Sequence, residues 1–242
     1  MSRLAGTLQV FPTPADVAKA LADNVVAAAR AAIAARGRFT VALSGGTTPK
    51  ATYTLLSQAP YANALDWTKV IFFFGDERCV PPSNDQSNFK TAYDTFIRAL
   101  NIPREHVHRM HGEEDPQFAA ASYRTELTTT LGSPPVLDLV MLGMGPDGHT
   151  ASLFPGNDPL ANEDDLVRAV YSQSQQQWRI TLTPKVINAA RAVVFAVEGA
   201  AKAKTLADVR EGPYNPTTYP SQIIAPTSGS LTWLVDKAAA GQ

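Results

Sequence analysis

The sequence predicts an α/β protein in three layers, a Rossmann-like and mostly parallel sheet with helices on both faces. Two observations predict it. Short apolar runs alternate along the chain with longer segments of helical period, the order expected of strand–helix–strand units. The runs at 70–74, 136–142 and 193–197 are apolar almost without interruption, as strands covered on both faces must be.

The elements follow in order. A helix is expected over 14–36, entered at Pro14 and closed by Gly37, with proline just inside the start and glycine just past the end. Lys19, Asp23, Asn24 and Arg30 interrupt its alanine-rich stretch. It reads as amphipathic, not as a membrane span, which needs about 20 apolar residues. A strand at 39–43 ends at Ser44-Gly45-Gly46, and after Pro49 a helix is expected over 51–56. The strand at 70–74 runs into a polar loop over 75–88, a helix near 89–100 and another over about 116–131. The strand over 136–142 ends at Gly143, and that over 193–197 is followed by Gly199 and a helix to about Val209. The loop 211–222, rich in proline and tyrosine, is too short to separate domains, and no linker or repeat divides the chain. Residues 1–242 are therefore expected to form one domain.

Composition narrows the function. The chain has 242 residues, 45% hydrophobic and 18% charged, with a formal net charge of -1. No basic excess exists to displace counterions from a nucleic acid, although a small anion needs only a few local cations. The first residues lack the long apolar core of a secretory signal. Cys79, the sole cysteine, allows no intrachain disulfide, in keeping with a reducing compartment. A cytoplasmic protein without membrane or nucleic-acid partners is expected. No sequence feature specifies an oligomer, and a monomer or weak dimer is the expectation.

Four glycine-rich or charged clusters, SGGTTP, GDERCVPP, GMGPDGH and EGAAK, each follow a buried apolar run. In open α/β sheets ligands bind at the carboxyl ends of strands, so the four should converge on one edge. In Ser44-Gly45-Gly46-Thr47-Thr48-Pro49 the glycines permit close approach of an anion to the backbone and to the helix start. The plainer reading is a strand-to-helix turn. Arg78 in Gly75-Asp76-Glu77-Arg78 could fork onto a phosphate, or simply pair with Asp76 or Glu77 at the surface. Cys79 reads as a small buried residue.

Residues 143–148 match the G-x-G-x-x-G dinucleotide pattern. That reading requires a helix to begin there, and HTASLFPGNDP, with Pro155, Gly156 and Pro159, is a poor helix. The alternative is a tight loop that turns Asp147 and His149 toward the site. A carboxylate can set the tautomer and raise the basicity of a histidine, which makes His149 the best general base in the chain. His106, His108 and His111 lack the spacing of metal ligands and read as surface or edge residues. No Gly-x-Ser-x-Gly elbow is present. Arg179 and Lys202 are two further cations near strand ends, although a solvated charge is the commoner fate of either.

Taken together, ALSGGTTPKATY, FFFGDERCVPPSNDQSN, LDLVMLGMGPDGHTASLFPG, RITLTPKVINAARAVVFAVEGAAKA and the Pro226 region resemble the 6-phosphogluconolactonases. These belong to the larger group that includes glucosamine-6-phosphate isomerase/deaminase. The resemblance implies hydrolysis of 6-phospho-D-glucono-1,5-lactone to 6-phosphogluconate, the second step of the oxidative pentose phosphate pathway, with neither metal nor cofactor. It implies that Gly45, Gly46, Thr47, Arg179 and Lys202 hold the sugar phosphate, with Arg78 reaching phosphate or hydroxyls. His149, oriented by Asp147, would activate water, and Asp76 would lie near the ring. The rival reading is the amino-sugar phosphate isomerase, whose loop resembles DGHIAFNEP with a glutamate that this chain lacks after His149. A third is a non-catalytic sugar-phosphate binding protein, which would not need Asp147 and His149.

Overall fold

The computed structural model describes residues 6–157 and 165–242. Met1 to Ala5, and Pro159 of the loop that follows His149, lie outside the described residues. The chain opens with β1 (Thr7–Phe11), which the sequence reading did not anticipate because four of its five residues are exposed. Helix α1 (Pro14–Arg36) has the expected bounds. Thr13 accepts a hydrogen bond from the Asp16 backbone at its start, and Gly37, with φ 76°, closes it in the left-handed conformation. Its apolar face, from Val17 to Ala32, is buried against the sheet.

Strand β2 (Phe39–Leu43) is buried throughout. Helix α2 (Thr47–Leu56) begins earlier than expected, because Pro49 falls in its first turn, where a missing N–H costs nothing. Strand β3 (Val70–Phe74) also matches its apolar run. The expected polar loop at 75–88 instead opens with a short strand, β4 (Asp76–Arg78). The helix expected near 89–100 is split into α3 (Asn88–Ala92) and a π-helical turn, Tyr93–Ile97, that buries both Phe96 and Ile97. Helix α4 (Pro116–Leu131) is capped by Asp115, which accepts from the Gln117 and Phe118 backbones.

Strand β5 (Leu139–Leu142) is shorter than the apolar run that predicts it. The antiparallel pair β6 (Val167–Ser172) and β7 (Gln177–Leu182) then leads through α5 (Pro184–Ala189) to β8 (Ala192–Val197). A 3₁₀ turn, Ala200–Lys202, precedes α6 (Ala203–Glu211), and β9 (Ser230–Asp236) completes the described elements.

Six strands form a parallel sheet in the order β1-β9-β8-β5-β2-β3, and β4-β7-β6 form a separate antiparallel sheet. The period-two alternation of strand side chains divides the core. Val70, Phe72 and Phe74 face the layer of α1 and α2, whereas Ile71 and Phe73 face that of α4, α5, α6 and the small sheet. Phe195 and Trp233, register partners on β8 and β9, stack at 3.9 Å between centroids. Parallel pairing brings the carboxyl ends of β2, β3, β5 and β8 to one edge. Among the described residues no helix is long and apolar enough to cross a membrane.

Asp138, immediately before β5, joins three elements. Its carboxylate accepts from the Thr40 N–H at 2.9 Å and the Thr40 hydroxyl at 3.0 Å, and lies 2.7 Å from Arg36. Arg191 is 3.3 Å away. Asp138→Ala leaves a buried N–H without a partner, which predicts a loss of roughly 2–3 kcal/mol of unfolding free energy. Urea titration measures it, and an unchanged midpoint would contradict the assignment.

Candidate active site

The four clusters do converge. A cavity of about 240 Å³ at the carboxyl edge of the sheet is walled by residues 44–49, Asp76, Arg78, Gly143 to Pro146, His149, Glu198 and Lys202. Asn88 and Ala151 line the same cavity.

Tyr53 of α2 sets the first loop, accepting from the Ser44 N–H at 3.1 Å and donating to the Ser44 carbonyl at 2.7 Å. Gly46 is the N-cap of α2 and has no side chain to satisfy the first N–H groups of the helix. These donors, with the positive end of the helix, open on the cavity wall.

The loop after β5 is held in a tight turn by Gly148 N–H to Gly145 carbonyl at 3.0 Å and Gly145 N–H to His149 carbonyl at 2.9 Å. No helix starts here, so the dinucleotide pattern at 143–148 is coincidental. A Cβ at Gly145 would stand 2.2 Å from the His149 ring and 2.6 Å from Asp147 Oδ1. Only glycine fits under that pair. His149 Nδ1 lies 2.6 Å from Asp147 Oδ1. Partial burial raises the Asp147 carboxyl, but the hydrogen bond and charge of His149 outweigh it and hold the group below its ordinary value. An ionised carboxylate can only accept, so Nδ1 carries the proton, and in the neutral ring it is Nε2 that holds the free lone pair. The Phe154 ring packs on His149 at 5.1 Å.

Asp76 lies between clusters. Its Oδ2 accepts from the Ser152 hydroxyl at 2.8 Å, and its Oδ1 from Asn88 Nδ2 at 3.2 Å. The adjacent Glu77 is 2% exposed and is absent from the cavity wall. Arg78 lines the cavity and donates to the Gln86 carbonyl, in place of the surface pair with Asp76 or Glu77 that its neighbours suggest.

Lys202 enters from the turn after β8, where Asp236 fixes Gly199 by accepting from its N–H at 3.0 Å. Burial lowers the Lys202 ammonium below its ordinary value, while Glu198 and Asp236 act the other way. Arg179 is placed differently from the other expected residues. It pairs across the small sheet with Arg78, is 4% exposed and does not line the cavity. Its Nη2 donates to Gln175, whereas Nε and Nη1 are buried without a partner among the described residues. Burial and then the charge of Arg78 depress its pKa.

Asn88 and Ser152 lie within the motifs but carry no role in the sequence reading; their partner, Asp76, is reached only through folding. Among the described residues no three His, Cys, Asp or Glu side chains gather as metal ligands. His108, expected at the surface or at an edge, lies against the edge strand β3: its N–H donates to the Phe72 carbonyl at 2.9 Å, and its ring stacks on Phe73 and lies 2.7 Å from Glu126.

Over residues 12–233 the chain matches the family described as glucosamine-6-phosphate isomerases/6-phosphogluconolactonase. A 6-phosphogluconolactonase of Nostoc sp. is 38% identical over 241 residues, 98% of each chain. The solved 6-phosphogluconolactonase from Trypanosoma cruzi superposes with a TM-score of 0.89 at 27% identity, covering 100% of this chain and 98% of that one. A monomeric glucosamine-6-phosphate deaminase superposes with a TM-score of 0.84 at 17% identity, over 97% of this chain and 99% of that one, a likeness of fold alone.

Cys79, beside Arg78, is only partly buried. Burial nevertheless pushes its thiol up to about 11, against the opposing charge of Arg179. At pH 8 its thiolate fraction is then on the order of a hundredfold below that of a free cysteine. Iodoacetamide should alkylate the native chain correspondingly more slowly than the unfolded chain at that pH. Equal rates would refute the shift.

Proposed function

The chain belongs to the glucosamine-6-phosphate isomerase/6-phosphogluconolactonase family, and from that premise we propose that it hydrolyses 6-phospho-D-glucono-1,5-lactone to 6-phosphogluconate, a step of the pentose phosphate pathway. His149 on the cavity wall, with its Nδ1 2.6 Å from Asp147, carries this reading. His149 Nε2 takes a proton from water as the water oxygen bonds to the lactone carbonyl carbon. The bond from that carbon to the ring oxygen then breaks, and the imidazolium returns the proton to the departing oxygen. One water is consumed and one acid is formed. A lactone has a decent leaving oxygen, so one positioned base and cations for the developing oxyanion suffice.

The phosphate is assigned to Gly45, Gly46, Thr47 and Lys202, with Arg78 reaching phosphate or hydroxyls; Arg179, beside Arg78 but off the cavity wall, is assigned to the phosphate by resemblance. Asp76 lies near the ring. The supporting observation is charge: Lys202 and Arg78 bring two cations to the same cavity wall as the Gly45-Gly46-Thr47 loop.

Deamination of an amino sugar needs a second acid–base group beside the histidine. The residue packed on His149 is Phe154, while Thr150 donates to the Gly143 carbonyl and Ser152 to Asp76. None of the three is a carboxylic acid.

Two predictions test the reading. Acid release from fresh 6-phosphogluconolactone, corrected for spontaneous opening, should be rapid, with no ammonia released from glucosamine-6-phosphate. His149→Ala should lower kcat by roughly 10²–10⁴-fold. Faster ammonia release would replace the lactonase with the deaminase, and no turnover of either would favour a binding protein.

Lys202→Ala and Arg179→Ala should each weaken inorganic phosphate binding by roughly 1–3 kcal/mol. Compared on phosphorylated and unphosphorylated gluconolactone, the loss should fall on the phosphorylated substrate. An equal loss on both would contradict a phosphate role.

A further inference from the structure

Strand β4 sends its two acidic residues, Asp76 and Glu77, into different environments. In β4, Asp76 and Arg78 line the cavity, and Glu77 projects to the opposite side, where it is 2% exposed. No ion pair among the described residues engages its carboxylate. Four donors converge on it, two on each oxygen. Oε1 accepts from the Arg78 N–H at 2.8 Å and the Asn88 N–H at 2.7 Å. Oε2 accepts from the Ser87 hydroxyl at 3.0 Å and the Phe89 N–H at 2.9 Å. As a carboxylate, Glu77 has acceptor sites for all four.

Three of these donors, from residues 87–89, lie at the entry of α3, so the Glu77 carboxylate sets where that short helix begins. Asn88 is its first residue. The Asn88 side chain turns back toward the cavity and donates to the Asp76 carbonyl at 2.9 Å and to Asp76 Oδ1 at 3.2 Å. Its own Oδ1 presses on the first anion loop, where a Cβ at Gly45 would lie 2.0 Å from it. The glycine is required there by this contact.

We infer that Glu77 and Asn88 are positioning residues for the reaction: Glu77 fixes the entry of α3, and Asn88 transmits that placement to the Asp76 carboxylate and to the Gly45 loop. Neither transfers a proton. The inference rests on the hydrolase reading of the same cavity and deepens it. Asp76 is oriented by Asn88 on one oxygen and Ser152 on the other, so losing one donor frees it to rotate. Misplacement of a group at a reacting centre costs turnover far more than it costs fold.

Asn88→Ala leaves all four bonds to Glu77 in place, because Asn88 contributes its backbone there. It should lower kcat on 6-phosphogluconolactone at least about tenfold, with KM within about threefold and the melting temperature close to the parent's. Glu77→Gln offers one acceptor oxygen where four donors meet, and should lower kcat similarly. The double variant should be no slower than the slower single one, since both act through one contact. Additive losses would overturn the relay. Parental kcat in Asn88→Ala overturns it alone, even if Glu77→Gln does not fold. A parent chain that fails to hydrolyse the lactone overturns the hydrolase reading, and the inference with it.

Discussion

Backbone pairing in the parallel sheet ends while the chain is still buried, and the arrangement of the site depends on how the groups freed there are satisfied. At the end of β2 the Ser44 N–H and carbonyl are both taken by the Tyr53 hydroxyl. At the end of β3 the Phe74 N–H donates to the Tyr123 hydroxyl at 2.8 Å. One tyrosine comes from each helical layer, and burial raises both phenols well above their usual values. They stay neutral, so each can donate and accept. Gly75 then bridges the two sheets, its N–H bonded to Leu43 and its carbonyl to Leu182, each at 2.8 Å. An unpaired buried backbone group costs about as much as a lost hydrogen bond or more, so this edge has little freedom to shift.

The same requirement separates the acidic residues by role. Asp147 is partly exposed and is balanced by a histidine, an environment suited to holding one tautomer. Asp76 is held by two neutral donors, Ser152 and Asn88, and keeps a place on the cavity wall. Burial raises the Glu77 carboxyl, opposed by its four donors. Three carboxylates close in sequence or space thus serve different ends, because each meets a different balance of burial and donors. The loop that carries His149 is likewise braced from behind, where Ser221 donates to the Gly148 carbonyl through both its N–H and its hydroxyl.

Helix α1 and strands β2 and β3 were legible residue by residue, since caps, prolines and apolar runs act over one or two turns of chain. The convergence of the four clusters was legible as well, because parallel pairing leaves their strand ends no other edge. Strands β6 and β7 were not. Their side chains mix burial and exposure, and the pairing of β7 with β4 carries the chain from the edge of one sheet into another. Arg179 was assigned to the phosphate by resemblance; that it lies beside Arg78 with one guanidinium nitrogen on Gln175 was not legible, because strand register sets it.

The sequence by itself determined the α/β class, the bounds of its most regular elements and the loops that form the cavity. These follow from period, caps and glycine placement, which are local. Only the tertiary structure decided which of Asp76 and Glu77 faces the cavity, that Asn88 and Ser152 hold Asp76, and that Phe154 packs on His149. Ser152 and Asp76 are 76 positions apart. Such contacts leave no periodic trace, because a hydrogen bond between distant loops constrains two residues and nothing between them.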